Sequence, residues 1–77
     1  MPHIHVKMIE GRSEEQKKAL ALALEKAMKE ALGVDGKWIS VAIDDYSGKE
    51  WQDVFKNDIE GSSTLYKNPE YDPKILL

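Results

Sequence analysis

His3-Ile4-His5-Val6-Lys7-Met8, followed by Glu10-Gly11-Arg12-Ser13-Glu14-Glu15-Gln16, is the stretch on which the fold turns. The first six residues alternate: His3, His5 and Lys7 point to one side, Ile4, Val6 and Met8 to the other. A period of two with β-branched residues on one face predicts a strand. Glu10-Gly11-Arg12 is a polar break. Ser13 then precedes Gln16 by three residues with two acids between, which is the pattern of a capping box with acids where the helix dipole favours them. The spacing predicts a helix over about 14–32, closed by Gly33 as a left-handed C-cap.

Further along, the helix carries an apolar stripe of Leu20, Leu24, Ala27, Met28 and Ala31, with Glu25, Lys26, Lys29 and Glu30 largely outside it. Leu22 sits among the charges. Asp35-Gly36 predicts a turn, and Trp38 to Ile43 alternates again, with Ile39, Val41 and Ile43 on one face and Trp38, Ser40 and Ala42 on the other. Strand, helix, strand in about 45 residues is a βαβ unit, whose crossover is right-handed and whose strands are parallel. Lys49 to Ile59 places Trp51, Val54, Phe55 and Asp58 at the spacing of a short helix. Gly61-Ser62-Ser63 is a loop, and Pro69 and Pro73 flank Tyr71 in the tail. The expected class is α/β (α+β): one βαβ unit of two parallel strands and a long helix, then a short second helix and a C-terminal tail. One domain is expected over 1–77.

Size and composition bound what such a chain does. With 77 residues and no cysteine, it has neither room for two domains nor thiols for a disulfide framework or a thiolate zinc site. Two strands and one helix leave apolar sheet surface uncovered, so the sheet is expected to be completed by oligomerisation. A net charge of −3 is small and of the wrong sign for nucleic acid or anionic lipid. The longest apolar run, Ala19 to Leu24, falls far short of the roughly 20 residues of a membrane span. The expectation is a soluble cytoplasmic protein with neither nucleic acid nor membrane as partner.

Few residues offer chemistry. Pro2 follows Met1 directly, and trimming of the methionine would expose a secondary amine able to act as base or nucleophile. With Met1 in place the same nitrogen lies in a peptide bond and has no basicity. Taken alone, Pro2 reads first as a proline opening a strand. Arg12 is the only arginine among eleven basic residues, and its planar fork binds a carboxylate through two bonds as lysine does not. It lies between a strand end and a helix N-terminus, where anions are already favoured. His3 and His5 share a strand face, but no third ligand lies near them in sequence, so no metal is expected. Trp38 and Trp51 read first as core residues.

Together these residues resemble the 4-oxalocrotonate tautomerase family. The likeness covers residues 2 to about 55: the proline after the initiator methionine, a short strand, Glu10-Gly11-Arg12-Ser13, then Glu15-Gln16-Lys17 opening an amphipathic helix, and a second strand. The resemblance implies a cofactor-independent keto–enol tautomerase in which Pro2 is the catalytic base and acid. It implies that Arg12 binds the substrate carboxylate and that Trp51 is the aromatic shaping an apolar pocket. Ser40 departs from the pattern, standing where hexameric members place a second arginine; it is kept as a substrate-binding position, and its serine argues against diacid substrates. The tail, with Tyr66-Lys67-Asn68-Pro69-Glu70-Tyr71, resembles the short dimeric, phenylpyruvate-tautomerase-like branch. The implied partners are a small monocarboxylic enol or 2-oxo acid and a second copy of the chain, as a homodimer with a hexamer as the alternative. Two rival readings stay open: hydration or dehalogenation run on the same proline, and a non-catalytic ligand-binding module.

Overall fold

The structure is a computed structural model describing residues 1–77. It divides into two compact units, Met1–Asp45 and Tyr46–Leu77. Strand β1 spans His3–Ile9, helix α1 Glu14–Leu32, a 3-10 turn Gly36–Trp38, strand β2 Ser40–Tyr46 and helix α2 Gly48–Val54. A π turn follows over Phe55–Ile59, and the tail closes with a 3-10 turn at Pro73–Leu76. No helix is long and apolar enough to cross a membrane.

In the first unit the expected βαβ arrangement is present. The two-stranded sheet has the order β1–β2. His3 lies beside Ser40 and His5 beside Asp44, so the strands advance together and are parallel. Helix α1 begins where the sequence predicts. Ser13 Oγ accepts from the Gln16 N–H at 3.2 Å, and the Ser13 N–H donates to Gln16 Oε1 at 2.9 Å, which completes the capping box. It ends at Gly33, whose φ of 66° is the left-handed conformation that glycine adopts without a Cβ penalty. Lys17 reaches from α1 to the Asp45 carboxylate at the end of β2, fastening helix to sheet.

Two details differ from expectation. Strand β2 starts at Ser40 rather than Trp38 and runs on to Tyr46. The Asp35 carboxylate accepts from the Lys37 N–H at 2.9 Å and winds Gly36–Trp38 into a 3-10 turn, so Trp38 leaves the sheet face and stands 45% exposed with Lys37 Nζ over its ring. The helix stripe is also rotated. Leu20, Ala21, Leu24 and Met28 are half-buried, whereas Ala27 and Ala31 are exposed. Leu22 is exposed, as its place among the charges suggests.

The second unit is built around α2. Ser47 and Glu50 form another capping box, with Ser47 Oγ accepting from the Glu50 N–H at 3.1 Å and the Ser47 N–H donating to Glu50 Oε1 at 2.8 Å. The tail docks on this helix. Gln52 Nε2 donates to the Pro73 carbonyl at 2.8 Å, and the Leu76 carbonyl oxygen comes so close to Gly48 that a Cβ there would stand 1.9 Å from it. Only glycine admits that approach. Trp51 and Val54, each 8% exposed, are the only buried apolar side chains in the chain, and both belong to this unit. The first unit buries none.

Candidate active site

Pro2 precedes the first residue of β1, the place in a sheet where a missing N–H costs least. Its carbonyl accepts from the Ser40 N–H at 3.3 Å, which ties it to the start of β2. Met1, before it, is 91% exposed. Ser40 Oγ and His3 Nδ1 share a hydrogen bond of 2.6 Å, so Pro2, His3 and Ser40 gather at the common N-terminal end of the two parallel strands. On the same face His5 Nε2–H donates to Asp44 Oδ2 at 2.5 Å. Both imidazoles are thus engaged within the sheet, and nowhere do three His, Cys, Asp or Glu side chains gather closely enough to hold a metal ion.

Arg12 stands past the other end of β1. Gly11, at φ 124°, turns the chain out of the strand in a conformation few other residues adopt, and Arg12 follows just ahead of the α1 cap. The side chain is exposed and makes one long hydrogen bond, Nη1–H to the Ile9 carbonyl at 3.4 Å, so most of its fork is open to an anion. The seven residues of β1 separate it from Pro2. At about 3.3 Å per residue that is roughly 23 Å, several times the length of a small acid. The structure brings Pro2 and Ser40 together and keeps Arg12 of the same chain apart from them.

Trp51 lies in the second unit. Its indole Nε1–H donates to Tyr71 Oη at 2.8 Å, and its ring meets Tyr46 edge-on, centroids 6.2 Å apart. Tyr71 in turn meets Phe55 edge-on at 5.7 Å. The aromatic carried over by resemblance is therefore the centre of a cluster and the main core residue of its unit. Sequence reasoning missed Tyr71 as its partner, and missed the bond from His3 to Ser40. Two signals were available: the i, i+4 pair Trp51 and Phe55, and a tyrosine held between two prolines.

Two charged groups are shifted from their ordinary values, and neither belongs to this constellation. The Asp45 carboxylate raises the Lys17 ammonium above 10.5, chiefly by its hydrogen bond and with help from Glu14. The Ser47 backbone N–H, then its hydroxyl, holds the Glu50 carboxyl below 4.5.

Comparison with known proteins adds the following. Residues 2–52 match the family model described as "Tautomerase enzyme". A probable tautomerase of Xylella fastidiosa is 44% identical over 73 residues, covering 92% of this chain and 89% of that protein. A 2-hydroxymuconate tautomerase of Comamonas testosteroni is 41% identical over 51 residues, covering 66% of this chain and 81% of that one. Among solved structures, one from work on the 4-oxalocrotonate tautomerase isozymes of Methylibium petroleiphilum superposes with a TM-score of 0.62 at 38% identity, over 65% of this chain and 81% of that chain.

Proposed function

The chain belongs to the tautomerase family and is an isomerase, and from that premise we propose that it interconverts the keto and enol forms of a small 2-oxo monocarboxylic acid without a cofactor. Pro2, freed of Met1, is the base and then the acid. Its secondary amine takes a proton from the carbon next to the carbonyl, and the resulting ammonium returns a proton to the enolate oxygen; the reverse passage makes the ketone. The observation that carries this reading is at the N-terminus. The family match begins at residue 2, Met1 outside it is 91% exposed, and the Pro2 carbonyl is anchored to Ser40, so trimming would leave the amine on a fixed strand end. The proposed place of the enzyme is the cytoplasm, where initiator methionines are removed.

Arg12 is the proposed carboxylate anchor, and the strand length then requires a second copy. A substrate of a few atoms does not span roughly 23 Å, so Arg12 reaches a given Pro2 only from another subunit. The sheet is likewise open within the chain, and pairing two copies at an edge gives four strands, near the usual size. A homodimer is the proposed assembly, with a hexamer as the alternative. Ser40 supplies a short polar wall and no second cation, which favours one carboxylate over two.

The test is Pro2→Ala in protein whose intact mass shows that Met1 is gone. Phenylpyruvate tautomerisation is expected to fall about 10²-fold or more, the scale of a lost general acid–base group. Activity within about a factor of two of the parent, or full retention of Met1 in an active preparation, removes the proline from the mechanism.

A further inference from the structure

Ser40 is bonded twice at the N-terminal end of the sheet. Its N–H donates to the Pro2 carbonyl at 3.3 Å, and its Oγ lies 2.6 Å from His3 Nδ1. The hydroxyl has no other partner in the chain, and the His3 and Ser40 side chains are both exposed. All three residues belong to the unit Met1–Asp45, and strands that pair lie about 4.8 Å apart. A small acid at the Pro2 amine is therefore within reach of the Ser40 hydroxyl of the same copy.

The direction of the bond to His3 decides what that hydroxyl can do. A serine has one proton to give, and an imidazole Nδ1 either gives or accepts one. With Ser40 donating, its proton is spent on His3, and only lone pairs face a ligand, which repel an enolate oxygen. With Nδ1–H donating, Ser40 keeps its proton, and the bond it accepts polarises that proton toward a new acceptor. The second arrangement suits a reaction that builds negative charge on oxygen, because a donor already held in place costs no reorganisation. His5 offers the contrast. Two residues along the same strand face, it donates to the Asp44 carboxylate, an acceptor with no proton to pass on.

We propose that His3 is a positioning residue: its Nδ1–H donates to Ser40 Oγ and frees the Ser40 hydroxyl proton for the keto or enolate oxygen of the substrate. This rests on the tautomerase reading above, in which Pro2 takes the proton from carbon at the same strand end. Ser40 touches the substrate, and His3 acts only through it.

The variants are matched in size, and phenylpyruvate is the probe in methionine-free protein. His3→Asn keeps an N–H donor near the place of Nδ1, and His3→Asp leaves acceptors alone. Because charge on the oxygen is greatest in the transition state, Ser40→Ala is expected to lower kcat about ten- to a hundredfold while KM moves less than about threefold. His3→Asp is expected to lose as much, and His3→Asn to stay within about threefold of the parent. In the Ser40→Ala background His3→Asp is expected to cost nothing further, since both changes act through one bond. Nitrogen NMR of the imidazoles needs no variant: in the parent saturated with phenylpyruvate it is expected to show a proton on His3 Nδ1.

Equal kcat in His3→Asn and His3→Asp is what a purely structural histidine gives, and it overturns the proposal. A further loss from His3→Asp in the Ser40→Ala protein also overturns it, since the effect is then one of bare charge beside Pro2. So does an unprotonated Nδ1 in the phenylpyruvate complex. If the methionine-free parent has no turnover at all, it is the tautomerase reading that falls. If the parent turns over and Ser40→Ala matches it, only the roles of Ser40 and His3 fall.

Discussion

Arg12 is the one guanidinium in the chain, and its exposure with a single long hydrogen bond makes it available rather than structural. Arg12→Ala is expected to raise KM for phenylpyruvate about ten- to a hundredfold, the loss of a charge-assisted contact of roughly 1.5–3 kcal/mol. Arg12→Lys is expected to recover part of it, because an ammonium does not form the paired fork. Steady-state kinetics of both variants decides; parent-like KM in both would move the anchor elsewhere. Residues of this kind draw attention in a sequence because they are unusual where they stand: one arginine among lysines, one proline behind a methionine. The bond between Trp51 and Tyr71 was not read, since it depends on a tail returning to α2 from twenty residues away, and the two prolines around Tyr71 mark a held residue without saying what it meets.

The elements were legible where a side chain closes a local ring of hydrogen bonds. Ser13 and Gln16 set the start of α1 and Gly33 its end, because these contacts form within four residues and tertiary packing has no better offer. The start of β2 was misread for the same reason in reverse: the Asp35 cap on Lys37 outweighs the apolar alternation through Trp38. The tail's docking on α2 left no periodic trace. One of the caps makes a prediction about acid. Glu50 is held below its ordinary 4.5 in the folded chain, so its contribution to stability is present above that value and is lost as pH falls through the folded one. Urea midpoints of the parent and of Glu50→Gln are expected to differ at neutral pH and to converge as acidification carries the pH through the lowered folded value. A gap that stays constant with pH would mean that the charge on Glu50 does nothing for the helix. Lys17 runs the other way: raised above 10.5 by Asp45, it supports the fold fully below that value and ceases to do so as pH rises through the folded one.

At the scale of the whole molecule the question is which copy supplies which group. If Pro2 and Arg12 of one site come from different subunits of a dimer, Pro2→Ala and Arg12→Ala chains complement each other. A mixed dimer then holds one site with both defects and one with neither. Equal mixing after unfolding and refolding gives half mixed dimers, so about a quarter of parental activity is expected to return from two nearly inactive proteins. No recovery, with mixed dimers present by mass spectrometry, would place both groups in one subunit; a monomer by light scattering would end the assembly argument altogether. The unit Met1–Asp45, which buries no side chain of its own, carries this further. Below the concentration at which copies associate, a chain would lack both a finished core and a finished site. Output would then climb with the square of the amount of protein made, so that synthesis level, and not only catalytic quality, would set how much enol a cell can turn over.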